Sequence, residues 1–151
     1  MKKPGFLSAM WVGLALVAGG VQAHDDAYLD TVKTAHGGQL RMAGMYHFEL
    51  VVEKSAKGAR DNPVVVYVTD HAGTSIPTAG SSGTATLLAG KDKTVVTLAP
   101  DGDNRMKGSG KYASATGLKA VVSITLAGKA AEQARFTPLA AMADEHMEHK
   151  H

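Results

Sequence analysis

The sequence predicts an all-β fold, a sandwich or small barrel of about seven short strands. Three observations indicate this class. From residue 39 onward apolar and polar side chains alternate with a period of two, the spacing that sends successive side chains to opposite faces of a strand. Turn residues recur roughly every 8 to 12 positions, and residues 24–138 contain no amphipathic helical pattern.

The first two predicted strands, 39–43 and 45–53, form a hairpin whose turn we place at Ala43-Gly44. In the second strand Tyr46, Phe48 and Leu50 share one face. The preceding residues 24–38 are polar and weakly patterned, so no element is predicted there. We take the face that carries the aromatic residues as the core face.

Five further strands follow in order, at 64–69, 84–89, 94–98, 118–127 and 133–137. A proline-containing loop at 54–63 and glycine-rich turns separate them, and 101–110 is predicted as a loop with Met106 near its tip. Met106 is expected to serve in packing. The residues predicted to form the core are Phe48, Leu50, Val66, Val96, Val122, Ile124 and Phe136.

The N-terminal segment has the pattern of a secretory signal peptide. Lys2 and Lys3 precede an apolar stretch at 6–21, and Val21-Gln22-Ala23 has the small-x-small form of a cleavage site. The stretch is shorter than the ~20 residues of a spanning helix. We therefore expect residues 1–23 to be removed after Ala23, leaving a periplasmic protein without a membrane anchor. The predicted organisation is signal peptide 1–23, β-domain 24–138 and flexible tail 139–151.

Composition excludes several functional classes. Without Lys2 and Lys3 the chain has 14 basic residues (16 minus 2) and 14 acidic ones, and no basic run suggests nucleic-acid binding. The absence of cysteine removes disulfides and thiolate chemistry. No nucleophile elbow, His-Glu-x-x-His motif or phosphate loop occurs, so we predict a protein that is not an enzyme.

Both ends of the expected mature chain carry metal-ligand types. The tail combines imidazoles and a thioether with carboxylates, at His146, Met147, His149 and His151. These groups suit copper, nickel or zinc. Cleavage after Ala23 would also give His24 a free α-amine that could chelate copper together with its imidazole. The alternative for the tail is a solvated, flexible end without a binding role.

The first hairpin supplies a second candidate set, His36, Met42, Met45 and His47. With the turn at Ala43-Gly44, Met42 is predicted to pair with Met45, and His47 follows on the same face. Two thioethers and an imidazole suit Cu(I), so copper is the first expectation and nickel or zinc the alternatives. The competing interpretation is that both methionines only pack. His71, in a predicted turn after Asp70, is expected to be an exposed turn residue and is not assigned to the site.

Three short segments resemble a known kind of domain. They are His36-Gly-Gly-Gln-Leu40, Tyr46-His-Phe-Glu-Leu-Val-Val52 and Val66-Tyr-Val-Thr-Asp70. Over residues 35–137 the chain resembles a small periplasmic β-domain that accompanies heavy-metal resistance systems, including adaptor subunits of metal-efflux pumps. The resemblance implies an immunoglobulin-like sandwich, a role for His36 and a metal-efflux partner. The helical hairpin and lipoyl-like domains of the adaptors are absent, so we do not expect the chain to be the adaptor itself.

Two functional hypotheses follow from the sequence. The first is a non-enzymatic periplasmic protein that binds copper, nickel or zinc as an accessory to metal resistance or homeostasis. The second is a metal-independent interaction module, a periplasmic β-sandwich that binds a membrane or periplasmic partner.

Overall fold

The computed structural model describes residues 26–140, which form an all-β domain with one short helix. The helix is α1 (Asp26–Thr31). The strands are β1 (Gln39–Ala43), β2 (Tyr46–Val52), β3 (Arg60–Asp70), β4 (Ser82–Ala89), β5 (Asp92–Pro100), β6 (Arg105–Tyr112), β7 (Lys119–Thr125) and β8 (Ala131–Phe136). The predicted all-β class is confirmed, with eight described strands where the sequence pattern indicated about seven.

All pairings are antiparallel, and the strand order is β1-β2-β3-β6-β5-β4-β7-β8. β4, β5 and β6 are neighbours in chain order. β7 lies beside β4, so β4 to β7 form one Greek key. β3 lies beside β6, so β3 to β6 form a second Greek key that overlaps the first. β5 and β6 join the two four-stranded halves through a short pairing of Ala99 with Lys107 and Pro100 with Met106. The halves face each other as in a sandwich.

The sheet is nearly closed, because the strands at the two ends of this order contact each other. Across this seam the Gln39 side-chain oxygen accepts a hydrogen bond of 2.7 Å from the Thr137 backbone N–H. The Gln39 amide nitrogen lies 3.4 Å from the Thr137 hydroxyl. Side chains therefore bridge the β1–β8 edge where a backbone ladder would close a full barrel.

The core lies between the halves and contains every residue predicted for it. Phe48, Leu50, Val66, Val96, Val122, Ile124 and Phe136 are each at most 2% exposed, which confirms the inward face assigned from the alternation. Met106 is fully buried and packs in the core, as expected, but it lies in β6. The predicted loop at 101–110 was therefore wrong from residue 105 onward. Leu139, assigned to the tail by the sequence, also belongs to the core cluster at 1% exposure.

The helix α1 packs against β1 and was not predicted from the sequence. Leu29 is 3% exposed, and Arg41 of β1 is 6% exposed. The Arg41 guanidinium lies 2.8 Å from the Asp30 carboxylate and 3.5 Å from that of Asp26. Burial of Leu29 and the pairing of Arg41 with two carboxylates thus stabilise a helix that is too short to be stable alone. Within residues 26–140 no helix has the length and apolar character needed to cross a membrane.

Candidate metal centre

The β1–β2 hairpin positions the candidate ligands, and its turn lies one residue later than predicted. Gly44 and Met45 form the turn, Ala43 pairs with Tyr46, and Met42 pairs with His47. Gly44 has φ of 58°, which suits the first position of a type II′ turn and twists with the flanking strands. The predicted pairing of Met42 with Met45 is therefore wrong. Met45 is a turn residue, 76% exposed, and Met42 lies directly opposite His47.

The side chains opposite to the core form what we call the outer face of β1, β2 and β3. Its members follow from the register, which pairs Leu40 with Glu49, Met42 with His47, His47 with Thr69 and Glu49 with Tyr67. Alternation sends Phe48 and Leu50 into the core and leaves His47 and Glu49 outside. Polar and ligand-type side chains are thus collected on one face of one sheet.

A second histidine, which the sequence did not assign to the site, meets His47 on this face. Asp70 closes the turn after β3 by accepting backbone hydrogen bonds of 2.9 Å from Ala72 and from Thr74. This turn was expected, and His71 is an exposed residue within it. Its ring stacks on that of His47, with centroids 4.8 Å apart and planes 26° apart. Met45, Asp70, His71 and Ala72 line one shallow depression, so Met45 lies near His71.

His36 is held by a buried carboxylate, Glu49, whose side chain is only 7% exposed. One Glu49 oxygen accepts hydrogen bonds from the backbone N–H groups of His36 (3.0 Å) and Gly38 (2.9 Å). The other lies 3.0 Å from Nδ1 of the His36 ring. An ionised carboxylate can only accept, so the proton in this contact belongs to Nδ1. In the neutral ring Nε2 is then the atom with a lone pair, as in histidines that bind metals while a carboxylate orients them.

Tyr67 of β3 supports the His36 ring from one side. The two ring centroids are 3.5 Å apart and the planes are inclined by 1°, a parallel stack. Tyr67 also forms a hydrogen bond with Arg105. This bond and the charge of Asp101 raise the pKa of Arg105, whose Nη2 lies 2.9 Å from the Asp101 carboxylate. Contacts with Glu49 and Tyr67 therefore fix both the edge and the plane of the His36 ring.

A cleft of about 400 Å³ separates α1 and the segment after it from the outer face. Tyr28, Leu29 and Val32 line one side. His47, Glu49, Thr69 and His71 line the other. Within this cleft Nε2 of His47 is buried, while His71 is exposed.

The four predicted ligands of the domain thus lie on the outer face or at its rim, in two groups. His36 with Glu49 forms one group, and Met42 and His47 with His71 and the nearby Met45 form the other. In the part of the chain that the structure describes, no three histidine or carboxylate side chains converge closely enough to hold a metal ion. The other predicted ligands, His146, Met147, His149 and His151, lie outside the described residues, as does His24.

Two contributors to this arrangement were missed. Glu49 had a sequence signal, since it lies two residues after His47 and must share its face. His71 had none, because its contact with His47 depends on how the turn after β3 folds over β2.

Comparison with protein-family models, curated proteins and solved structures finds no match to this chain, so the function is argued from the site.

Proposed function

We propose that this protein is a non-enzymatic, periplasmic metal-binding accessory protein that serves metal resistance or homeostasis. The observation that supports it best is the collection of ligand types on one sheet face. His47 and His71 stack there beside Met42, and Met45 borders the same turn. The outward positions of an antiparallel sheet usually carry polar groups, and here they and the adjoining turns supply imidazole and thioether, which are ligand types that copper prefers.

Copper is the metal that these side chains favour. Thioether sulfur is a soft ligand that selects Cu(I), and imidazole binds Cu(I) and Cu(II) as well as nickel and zinc. The His36 ring, oriented by Glu49, resembles ligating histidines whose second nitrogen donates to a carboxylate. Nickel and zinc remain the alternatives because imidazole and carboxylate suit them without the methionines.

The expected chain ends fit the same role. A signal peptide ending at Ala23 would deliver the protein to the periplasm, where a metal-efflux system is the expected partner. His146, Met147, His149 and His151 would capture ions at the tail and raise the local concentration near the domain. The protein would then hold or deliver the ion without changing it chemically.

The second candidate is a metal-independent interaction module. A depression beside the β1–β8 seam supports it, and its lining combines the apolar Leu88, Val121 and Phe136 with the charged Asp26, Arg41, Lys119 and Arg135. Such a surface could accept a segment of a periplasmic protein. It makes no use of the histidines or methionines on the outer face.

Calorimetric titration of the protein cleaved after Ala23 separates the two candidates. Cu(I), Cu(II), Ni(II) and Zn(II) would each be titrated into the mature chain and into the double variant His36→Ala, His47→Ala. The metal-binding proposal predicts one tight site in the mature chain that the double variant loses, with weaker tail sites kept. Binding no better than weak micromolar for all four ions would refute it and favour the interaction module.

A further inference from the structure

We propose that the depression beside the β1–β8 seam is a docking site for an acidic segment of a partner protein that carries a bulky apolar side chain. The depression has a volume of about 510 Å³, within the size range of binding pockets. Its lining includes none of the candidate metal ligands. This interaction is therefore separate from metal binding, and it gives the chemistry of a partner that the interaction hypothesis leaves open.

The register of β4, β7 and β8 produces the apolar part of the depression. Val121 of β7 lies opposite Arg135 of β8, and Leu88 of β4 lies opposite Lys119 of β7. Because Lys119 precedes Val121 by two positions, all four side chains share the outward side of the sheet. Leu88 and Val121 are half-buried, so part of each apolar side chain still contacts solvent. An apolar side chain of a partner would remove this surface from water.

Two exposed cations, Lys119 and Arg135, border these apolar residues. In the described part of the chain neither of them forms an ion pair. The third cation of the lining, Arg41, is already paired with Asp30 and Asp26. Asp26 is also the one carboxylate among the described residues that line the depression. Two positive charges therefore remain for carboxylates that a partner supplies.

Charge and shape favour a protein segment over a membrane as the occupant. Recruitment to anionic lipids uses clusters of about four to eight lysine or arginine residues. The described lining of this depression offers two such residues that are not already paired with a carboxylate. Its concave, partly apolar surface suits one buried anchor side chain, with charged groups at the rim that select the partner.

Fluorescence anisotropy tests the docking site with a short labelled peptide that carries one phenylalanine flanked by glutamates. The peptide is titrated with the chain that begins at residue 24, with its double variant Lys119→Glu, Arg135→Glu, and with the control Lys107→Glu, Lys111→Glu. The control makes the same change of net charge at two exposed residues of β6 that lie outside the depression. Urea denaturation checks that all three proteins fold equally well.

Two further probes separate the possible occupants. A peptide with glutamine in place of glutamate measures binding without the charges. Vesicles of phosphatidylglycerol and phosphatidylcholine, sedimented with the protein, measure binding to an anionic lipid surface. A chain that lacks residues 144–151 shows whether the acidic end of this protein competes for the depression.

We expect the parent and the control to bind the acidic peptide alike, and Lys119→Glu, Arg135→Glu to lose affinity by about tenfold or more. The glutamine peptide should bind the parent more weakly by a similar factor. Equal losses in the two double variants, or no binding of the acidic peptide to the parent, would overturn the docking site. Binding to anionic vesicles in place of the peptide, or peptide binding only after deletion of 144–151, would assign another occupant and also overturn it. No metal is added in these assays, so such failures would leave the proposed metal binding standing.

Discussion

Glu49 is the residue on which the geometry of His36 depends. Its carboxylate is buried, and three donors satisfy it: two backbone N–H groups and the ring of His36. A buried charge is tolerated only when such bonds replace its hydration. The same bonds hold the loop before β1 against β2, so one side chain has a structural role and an orienting role.

We expect Glu49→Gln to lower the free energy of unfolding by about 1–3 kcal/mol. The NH₂ group of the glutamine cannot accept the hydrogen bond that a carboxylate oxygen accepts at this position. Urea denaturation measures this change. Asp92→Asn is the control, since this carboxylate is exposed in the β4–β5 hairpin and its replacement should cost less than about 0.5 kcal/mol. Equal costs for the two variants would show that the Glu49 network does not stabilise the fold.

Tyr112 of β6 ties three segments together through its hydroxyl group. The hydroxyl donates to the Pro63 carbonyl (2.5 Å) and accepts from the Glu53 backbone N–H (2.9 Å). The residue is 3% exposed. We expect Tyr112→Phe to leave two backbone groups unpaired and to cost about 1–3 kcal/mol of unfolding free energy.

The cost should depend on alkaline pH in a definite direction. Burial raises the pKa of Tyr112, while the hydrogen bond from Glu53 opposes this. The unfolded tyrosine titrates near pH ~10, so the stabilisation by neutral Tyr112 is present below that pH and is lost as pH rises through the folded pKa. Urea midpoints at about pH 8 and about pH 10.5 should therefore show a smaller difference between parent and variant at the higher pH. A constant difference would contradict the role of burial.

At the scale of elements, β6 shows why a strand can escape prediction. Its sequence, Arg105-Met-Lys-Gly-Ser-Gly-Lys-Tyr112, contains two glycines and few β-branched or aromatic residues, a composition that disfavours strands. Its neighbours impose the extended conformation, since β3 pairs with it along its length and β5 pairs at its start. The glycines serve the packing of β5, because a Cβ at Gly110 would lie 2.6 Å from Val96 Cγ2.

Gly108→Ala tests this packing. A Cβ at Gly108 would overlap the Thr97 backbone carbonyl and would lie 2.6 Å from Val96 Cγ1, so β5 would have to shift. Overpacking of this kind costs about 1–3 kcal/mol. Gly58→Ala is the matched control, because no atom lies within 4 Å of its added Cβ, and it should change stability by less than about 0.5 kcal/mol. If both variants unfold at the same urea concentration, the close approach of β5 to β6 is wrong.

The same elements show how much of the site could be predicted. Alternation alone separated His47 from Phe48 and identified the core residues, because one face of each strand must be apolar. The partner of Met42 could not be fixed without the turn type, since a shift of the turn by one residue replaced Met45 with His47. The contact of His71 with His47 joins the turn after β3 to β2, and no local sequence pattern carries that information.

At the scale of the whole molecule, the two sides of the sheet have different roles. The inner faces of the two halves supply the apolar core, which stabilises the domain without disulfides. The outer face of β1, β2 and β3 is thereby free to carry imidazole, thioether and carboxylate groups.

Metal binding requires deprotonated ligands. The metal affinity of the domain and of the tail should therefore decrease when the pH drops below about 6.

The central claim is that the folded domain holds a metal ion of its own, apart from the tail. Copper titration of the mature chain with residues 144–151 deleted, followed by calorimetry, tests it most directly. The sequence predicts a flexible tail, which would have to be ordered on binding and should therefore bind more weakly than a folded site. We predict that the deletion removes weak sites and leaves one tighter site, which His36→Ala, His47→Ala then abolishes. Loss of all copper binding on deletion of 144–151 would contradict the claim, and the domain would only carry a metal-capturing tail.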